Sequence, residues 1–358
     1  MARIVITGGA GFIGSHAAEH FASRGHSVLI VDNLSRGALL HRPDPNASYN
    51  WDYLGSIPGI ERVRGDVRED GLMDRLLKDA DAVLHAAAQT AVTTSTLDPE
   101  TDFLSNALGT FRVLEAARRS GRRPAVIYCS TNKVYGANVN CVPIVSEKNR
   151  YRFGEPYESG IPEDFGIDLC EHTPYGCSKL TGDLYVQDYG HLYGLRVGVF
   201  RMSCIYGTRQ FGMEDQGWVA WFVLAALTGA PLTIFGDGRQ IRDVLWVDDL
   251  VQAYEAFLTR GPQIGVYNMG GGPAMTLSLL ELITHLEQRL ARPVPYRLGP
   301  WRPSDQKVYV SRISRAQSDL AWAPRVTPVE GVDRLLQWAG KEISLFSHLR
   351  PQATGSTS

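Results

Sequence analysis

Cysteine is scarce in this sequence and poorly placed for cross-linking. The 358 residues include five, Cys129, Cys141, Cys170, Cys177 and Cys204, an odd number with no C-x-x-C pair. That argues against a disulfide framework or a zinc knuckle and for a reducing compartment. Long apolar runs are missing too. No stretch approaches the roughly eighteen uninterrupted apolar residues of a membrane span. The apolar start MARIVITGGAGFIG is short, glycine-broken and followed by no small-residue cleavage site. Neither sign of charge dominates: 36 Lys and Arg stand against 38 Asp and Glu, a formal net charge of −2. Such a chain has no global pull toward nucleic acid or a membrane surface, and it carries no basic stripe interleaved with aromatics. His85, Glu171 and His172 match no metal-ligand spacing, so no metal is expected. These absences predict a soluble cytoplasmic protein, with no nucleic-acid or membrane partner. It is long enough for one large α/β domain or two lobes.

What the sequence does have is alternation. RIVITG (3–8), HSVLIVD (26–32), ERVRGDV (61–67), DAVLHAAA (81–88) and PAVIYCS (124–130) read as strands. Between them, GSHAAEHFASRG and LGTFRVLEAARRSG space their apolar residues as helices do and end at glycine. This predicts a parallel sheet covered on both faces, with LRVGVFRMS (195–203) as its sixth strand. The rhythm changes at 204. QGWVAWFVLAALTG (216–229) reads as an amphipathic to buried helix, and 274–340 supplies two helices around the small strand PVPYRL. The division expected is a main domain from 1–203 plus 241–261 and a smaller α/β lobe from 204–240 plus 262–340. A tail over 341–358 ends in polar PQATGSTS. Residues 137–172 are long for a connection, which marks a functional loop.

Gly8, Gly11 and Gly14 form G-x-x-G-x-x-G between the first strand and the first helix. The turn must be tight, the backbone must approach a pyrophosphate, and the helix must lie close on the strand. The helix N-terminus then offers open N–H groups to phosphate. Asp32 ends the second strand, where a carboxylate accepts from ribose hydroxyls and repels a 2′-phosphate, so NAD is favoured over NADP. Arg36, close by, pulls the other way. Asp66 and Val67 are expected near adenine, and Ala86 and Ala87 leave room for the dinucleotide, although small residues there also suit helix–sheet packing. Phe12, Ile13 and Asn33 complete the expected cofactor set from this half of the sheet.

Tyr175-Gly-Cys-Ser-Lys179 is Y-x-x-x-K, with both side chains on one helical face. An ammonium beside the phenol, together with a positive nicotinamide ring, is expected to favour the phenolate and make it a general base. Taken together, Gly8/Gly11/Gly14, Asp32, Ser130/Thr131 and Tyr175/Lys179 resemble the extended short-chain dehydrogenase/reductase superfamily, whose members act largely on nucleotide sugars. The resemblance covers residues 1–340. It implies a Rossmann-type doubly wound parallel sheet holding NAD and a smaller C-terminal α/β substrate-binding lobe that closes over a nucleotide-diphosphate sugar. On that likeness Thr131 orients the sugar hydroxyl, Tyr175 removes its proton and Lys179 holds the nicotinamide ribose. Asn106 matches a structural asparagine. Arg242 in GDGRQIRDVLWVDD and Arg302 in WRPSDQ match arginines that reach the phosphates, where a planar fork makes paired hydrogen bonds. A homodimer or homotetramer through main-domain helices is implied as well.

The stretch STNKVYG (130–136) narrows the chemistry. A nucleotide-sugar 4,6-dehydratase needs an acid and a base to eliminate water, and that branch typically has Asp-Glu after the threonine. Here Asn132 and Lys133 stand in their place, suited instead to sugar hydroxyls or a transient keto oxygen. STNKVYG, HTPYGCSK (172–179), YGTRQFG (206–212), DQGWVAWF (215–222) and RQIRDVL (239–245) together resemble the CDP-paratose 2-epimerases. That likeness implies inversion at carbon 2 of a CDP-hexose through a 2-keto intermediate. Arg209, Gln210 and Gln216 would line the sugar-nucleotide pocket, and Trp218 would border the base, whereas Trp221 reads as core. Met202 and Cys204, in positions near the nicotinamide and sugar, depart from the His and second Ser expected of the family. Cys204 reads as a packing residue. A UDP-hexose 4-epimerase, a 4,6-dehydratase and a redox-inactive NAD-binding scaffold are the alternatives.

Overall fold

The computed structural model describes residues 1–302 and 305–351. Val, Ile and Leu fill the first strands almost without interruption, as strands buried on both faces require. Seven of them pair in parallel, in the order Ile264–Met269, Val197–Met202, Ala125–Thr131, Ala82–His85, Arg3–Thr7, Ser27–Asp32, Ile60–Arg64. On one face, Ala17 and Phe21 of the helix Phe12–Ser23 and Leu250 and Phe257 of Val247–Arg260 pack over Ile4, Ile6 and Phe200. On the other, the helices Leu72–Leu77, Gly109–Arg119 and Thr173–Tyr193 bury Leu77, Val113 and Val186 against Val5, Val83 and Val197. The first strand is flanked by Ser27–Asp32 on one side and Ala82–His85 on the other. The chain therefore leaves it in opposite directions, and a crevice opens at its C-terminal end.

The division drawn at 241 and 262 differs from the pairing. Ile264–Met269 is the seventh strand of the central sheet, in register with Val197–Met202. Ile241–Trp246 lies in the lobe, between Thr276–Ser278 and Val308–Tyr309 and beside Cys204–Tyr206. Short runs of similar hydrophobicity do not announce which sheet they join. Among the described residues, segment 274–340 holds three helices rather than two, Leu279–Leu290, Ser314–Leu320 and Pro328–Lys341. The extra one sends Ala316 and Leu320 into the main core. The expected tail begins later than 341: Ile343–Leu349 forms a 3-10 helix whose Phe346 is buried against Phe211 and Trp338. The polar end of that tail, 352–358, lies outside the described residues. The long segment 137–172 is folded as well. Its hairpin, Ile144–Ser146 with Tyr151–Phe153, joins Val134 and Tyr135 to Ile241, Val308 and Tyr309 in one apolar cluster. That segment bridges the main sheet and the lobe. No helix among the described residues is long and apolar enough to cross a membrane.

Candidate active site

The glycine turn leaves no space for side chains. Gly8 sits at φ +65°, and a Cβ on it would come within 2.6 Å of the Ala87 nitrogen. A Cβ on Gly14 would come within 2.2 Å of the Gly8 carbonyl oxygen. Gly11, the N-cap of Phe12–Ser23, provides no side-chain cap, and the first turn carries no acid. The open N–H groups and positive helix end are left for a ligand. Gly8, Gly11, Phe12, Ile13, Gly14, Asp32, Asn33, Asp66, Val67, Ala86 and Ala87 all line one cleft there. Asp32 accepts from the Ala10 N–H at 2.9 Å and the Leu34 N–H at 2.8 Å. Burial holds its carboxyl above the usual range despite those donors. The Arg68 fork, with burial opposing it, holds Asp66 down to about 2. Arg36 also borders the cleft, where it donates to Asp44 Oδ2 at 2.6 Å and the Phe211 carbonyl at 2.7 Å. A Cβ-free turn, an uncapped helix end and an acid at the second strand fit NAD.

Thr131, Tyr175, Lys179 and Met202 line the same cleft. The strand Ala125–Thr131 delivers the first, the helix Thr173–Tyr193 the next two, and the strand Val197–Met202 the last. The protein alone does not make Tyr175 a phenolate. Burial pushes it up to about 12, against a smaller opposite effect from the adjacent Thr131 hydroxyl. Burial likewise pushes Lys179 down to about 8, and its Nζ rests 4.2 Å from the Tyr128 ring centroid. Desolvation dominates both groups, and the four-residue spacing does not by itself hold the phenol down. Asn106 is fully buried and ties the helices together: its Nδ2 donates to the Gln89 carbonyl at 3.1 Å and to Ser178 Oγ at 3.0 Å. His85 is held neutral, pushed down to about 3 by burial, between the hydroxyls of Thr7 and Thr110. Among the described residues no group of three or more His, Cys, Asp or Glu is placed to hold a metal ion.

The residues expected at the sugar divide into two groups. Arg209, Gln210, Gln216 and Trp218 line the cleft. Arg209 nevertheless faces the cofactor domain, bonded to Glu19 Oε2 at 2.6 Å and lying 4.3 Å from the Tyr53 ring centroid. Gln216 bridges the cleft, its Nε2 bonded to Thr90 Oγ1. Asn132, Lys133, Arg242 and Arg302 fall outside the lining. Buried Asn132 accepts from the Thr131 hydroxyl at 3.3 Å. Burial first, and Arg242 second, push Lys133 down to about 8. Arg242 pairs with Asp305 at 2.9 Å, and Arg302 with Asp215 at 2.9 Å. Trp221 packs on the lobe core, outside the cleft. Cys204 lines the cleft as a neutral thiol, pushed up to about 12 by burial. Sequence reasoning missed Leu39, Leu40, Asp44, Asn46 and Asn50, which form the outer wall. Residues 41–50 carry no motif in the sequence, and the helix Tyr49–Gly55 brings Asn50 to the cleft.

Comparison with known proteins agrees with this geometry. The pattern described as the NAD dependent epimerase/dehydratase family matches residues 4–270. The chain is 37% identical over 345 residues to CDP-paratose 2-epimerase of Salmonella typhi, covering 94% of this chain and 98% of that one. Among solved structures, dTDP-glucose 4,6-dehydratase from Streptomyces venezuelae with NAD bound superposes with TM-score 0.80 and 26% identity, over 97% of this chain and 100% of that one. UDP-glucose 4-epimerase from Thermotoga maritima with UDP-glucose gives TM-score 0.78 and 27% identity, over 95% and 99%. The match over residues 4–270 and the 37% identity over nearly the whole of both chains show that the chain belongs to the NAD dependent epimerase/dehydratase family.

Proposed function

We propose that this enzyme inverts carbon 2 of a CDP-hexose of the CDP-paratose/CDP-tyvelose type. The likeness to CDP-paratose 2-epimerase over 94% of the chain carries the reading. The placement of Thr131, Tyr175 and Lys179 along the cofactor cleft supports it. A carbinol C–H is far too weakly acidic for a protein base. NAD, when bound, supplies a hydride acceptor that later returns the hydride, and a positive ring beside the phenol. Thr131 orients the carbon-2 hydroxyl, Tyr175 takes its proton and later gives it back, and Lys179 holds the nicotinamide ribose. The flat 2-keto sugar turns over between the two transfers and presents its other face. With its own pKa near 12, Tyr175 depends on the surrounding positive charge to serve as a base near neutral pH. The glycine turn, Asp32, Asn33, Asp66, Val67, Ala86, Ala87 and Met202 hold the dinucleotide in this reading. Gln210 and Gln216 border the sugar, and Asn132 and Lys133 meet its oxygens. Arg242 and Arg302 take the diphosphate in exchange for Asp305 and Asp215.

Incubation with CDP-paratose and a panel of CDP- and UDP-hexoses, read by NMR, tests this. The expected product is the carbon-2 epimer, with no solvent deuterium at carbon 2 when the reaction runs in heavy water. Deuterium there would rule out direct hydride return. A carbon-4 epimer of a UDP-hexose would establish the second reading, which the likeness to the Thermotoga maritima enzyme favours. A product lighter by water would mean a dehydratase. We also propose that two copies pair through Gly109–Arg119 and Thr173–Tyr193, where Phe111, Leu184, Tyr185 and Leu192 are exposed. Light scattering should give a dimer that Leu184→Glu dissociates; a wild-type monomer would refute this.

A further inference from the structure

One buried ion pair lies behind the cleft rather than in it. Asp183 and Arg201 are 0% and 4% exposed, and form a fork, Nε to Oδ2 at 3.0 Å and Nη2 to Oδ1 at 3.0 Å. Asp183 follows Lys179 by four residues, so Tyr175, Lys179 and Asp183 share one face of the helix. Ser130, next to Thr131, donates its hydroxyl to Asp183 Oδ2 at 2.6 Å. Arg201 precedes Met202, and its Nη1 donates to Tyr135 Oη at 3.2 Å and to the Glu163 carbonyl at 2.9 Å. Tyr135 donates onward to Asn268 Oδ1 at 2.6 Å, on the seventh strand. One pair thus ties together the strand ending in Thr131, the helix of Tyr175 and Lys179, the strand ending in Met202, and the segment that supports the lobe.

Stability does not account for this choice of residues. Taking two charges out of water is expensive, and well-packed apolar replacements of such pairs are often neutral or stabilising. Geometry does account for it, because proton transfer tolerates only small misplacements. We propose that Asp183 and Arg201 are positioning residues that lock Thr131 in register with Tyr175 and keep a negative charge behind Lys179. The inference rests on the roles given above to Thr131 and Tyr175. The groups facing Lys179 are Asp183 on its own helix, Asp102 on Pro99–Phe103, Tyr128 and Cys129 on one strand, and His85 on the next. Burial draws the Lys179 amine down, and Asp183 is among the groups that oppose it.

Asp183→Asn keeps the shape and removes the charge. It should lower kcat about 100-fold with KM little changed, and move the alkaline limb of kcat to lower pH. Because an unpaired Arg201 endangers folding, Ser130→Ala is the second variant. It keeps the ion pair and cuts the link to the Thr131 strand; because Ser130 also borders the cleft, NAD content is read beside kcat, which should fall about tenfold with NAD content unchanged. Trace acetylation of Lys179 across pH, read by mass spectrometry, needs no substrate. Its apparent pKa should fall in Asp183→Asn and stay put in Ser130→Ala. Wild-type kcat in Ser130→Ala, or an unmoved Lys179 profile in folded Asp183→Asn, would overturn the proposal. Tyr175→Phe is the control: full activity there defeats the reading of the site, and the Lys179 profile still decides the role of Asp183.

Discussion

Burial governs the reacting side chains. It raises Tyr175 to about 12 and lowers Lys179 to about 8, so the proton affinities of the two groups are driven apart, each toward its neutral form. On the proposed mechanism a phenol in that state is quiet until positive charge arrives, which would couple proton removal to the presence of cofactor. Removing the phenol oxygen with Tyr175→Phe should therefore cut kcat by about 10³-fold while NAD content, read by absorbance of the denatured protein, stays at wild type. Gly14 makes the complementary case. A methyl there would overlap the Gly8 carbonyl at 2.2 Å. Gly14→Ala should force the helix off the turn, cost about 1–3 kcal/mol of stability, and strip NAD from the purified protein. Retention of full NAD content would show that the turn tolerates what its geometry forbids.

The loop over 208–217 behaves as a strap across the cofactor cleft. Arg209 reaches Glu19, the Phe211 carbonyl takes Arg36, Asp215 takes Arg42 at 2.8 Å, and Gln216 meets Thr90. Phe211 packs on Tyr49 from the main domain and on Phe346 near the chain end. The buried Phe346 ring of Ile343–Leu349 thus supports the strap. On the proposed mechanism the coenzyme is regenerated every cycle, so holding it is an advantage, and the strap lies where it can do so. Asp215→Ala removes the partner of both Arg42 and Arg302. These pairs are partly exposed and individually weak, so the expected effect is a several-fold faster loss of NAD, seen as activity that falls on dialysis and returns on adding NAD. An unchanged off-rate would free the strap from that role.

At the scale of the whole molecule, stability should respond to acid through two buried imidazoles. Burial pushes both His16 and His85 down to about 3. An imidazole in the unfolded chain takes up its proton near pH 6.5. Below that pH the unfolded state binds more protons than the folded one, so stability falls as pH drops from about 6.5 toward 3. Each imidazole contributes about 1.4 kcal/mol per pH unit over that window. Denaturation with urea at pH 7, 6 and 5 should show the decline. His85→Gln, which can still bond the two threonine hydroxyls, should flatten it. A slope unaffected by that change would mean His85 is protonated in the folded protein.

The seven-residue glycine pattern, Asp32, Thr131 and the Tyr175/Lys179 pair were legible in the sequence because each is a local geometric requirement. A tight turn, a strand end and a four-residue helical spacing carry their own signatures, and the alternation of buried strands and helices follows from the same short-range periodicity. What the linear order left open was decided by contacts between distant segments. Ile264–Met269 joined the main sheet because an edge beside Val197–Met202 was available to pair with it. Arg209 lines the cleft but pairs with Glu19 of the main domain, and Phe346 turned an expected tail into a buttress. The proton affinities of Tyr175 and Lys179 follow the same logic. Chemical type and spacing are written along the chain, but desolvation depends on everything folded around a group, and here it reverses the direction that spacing alone implied.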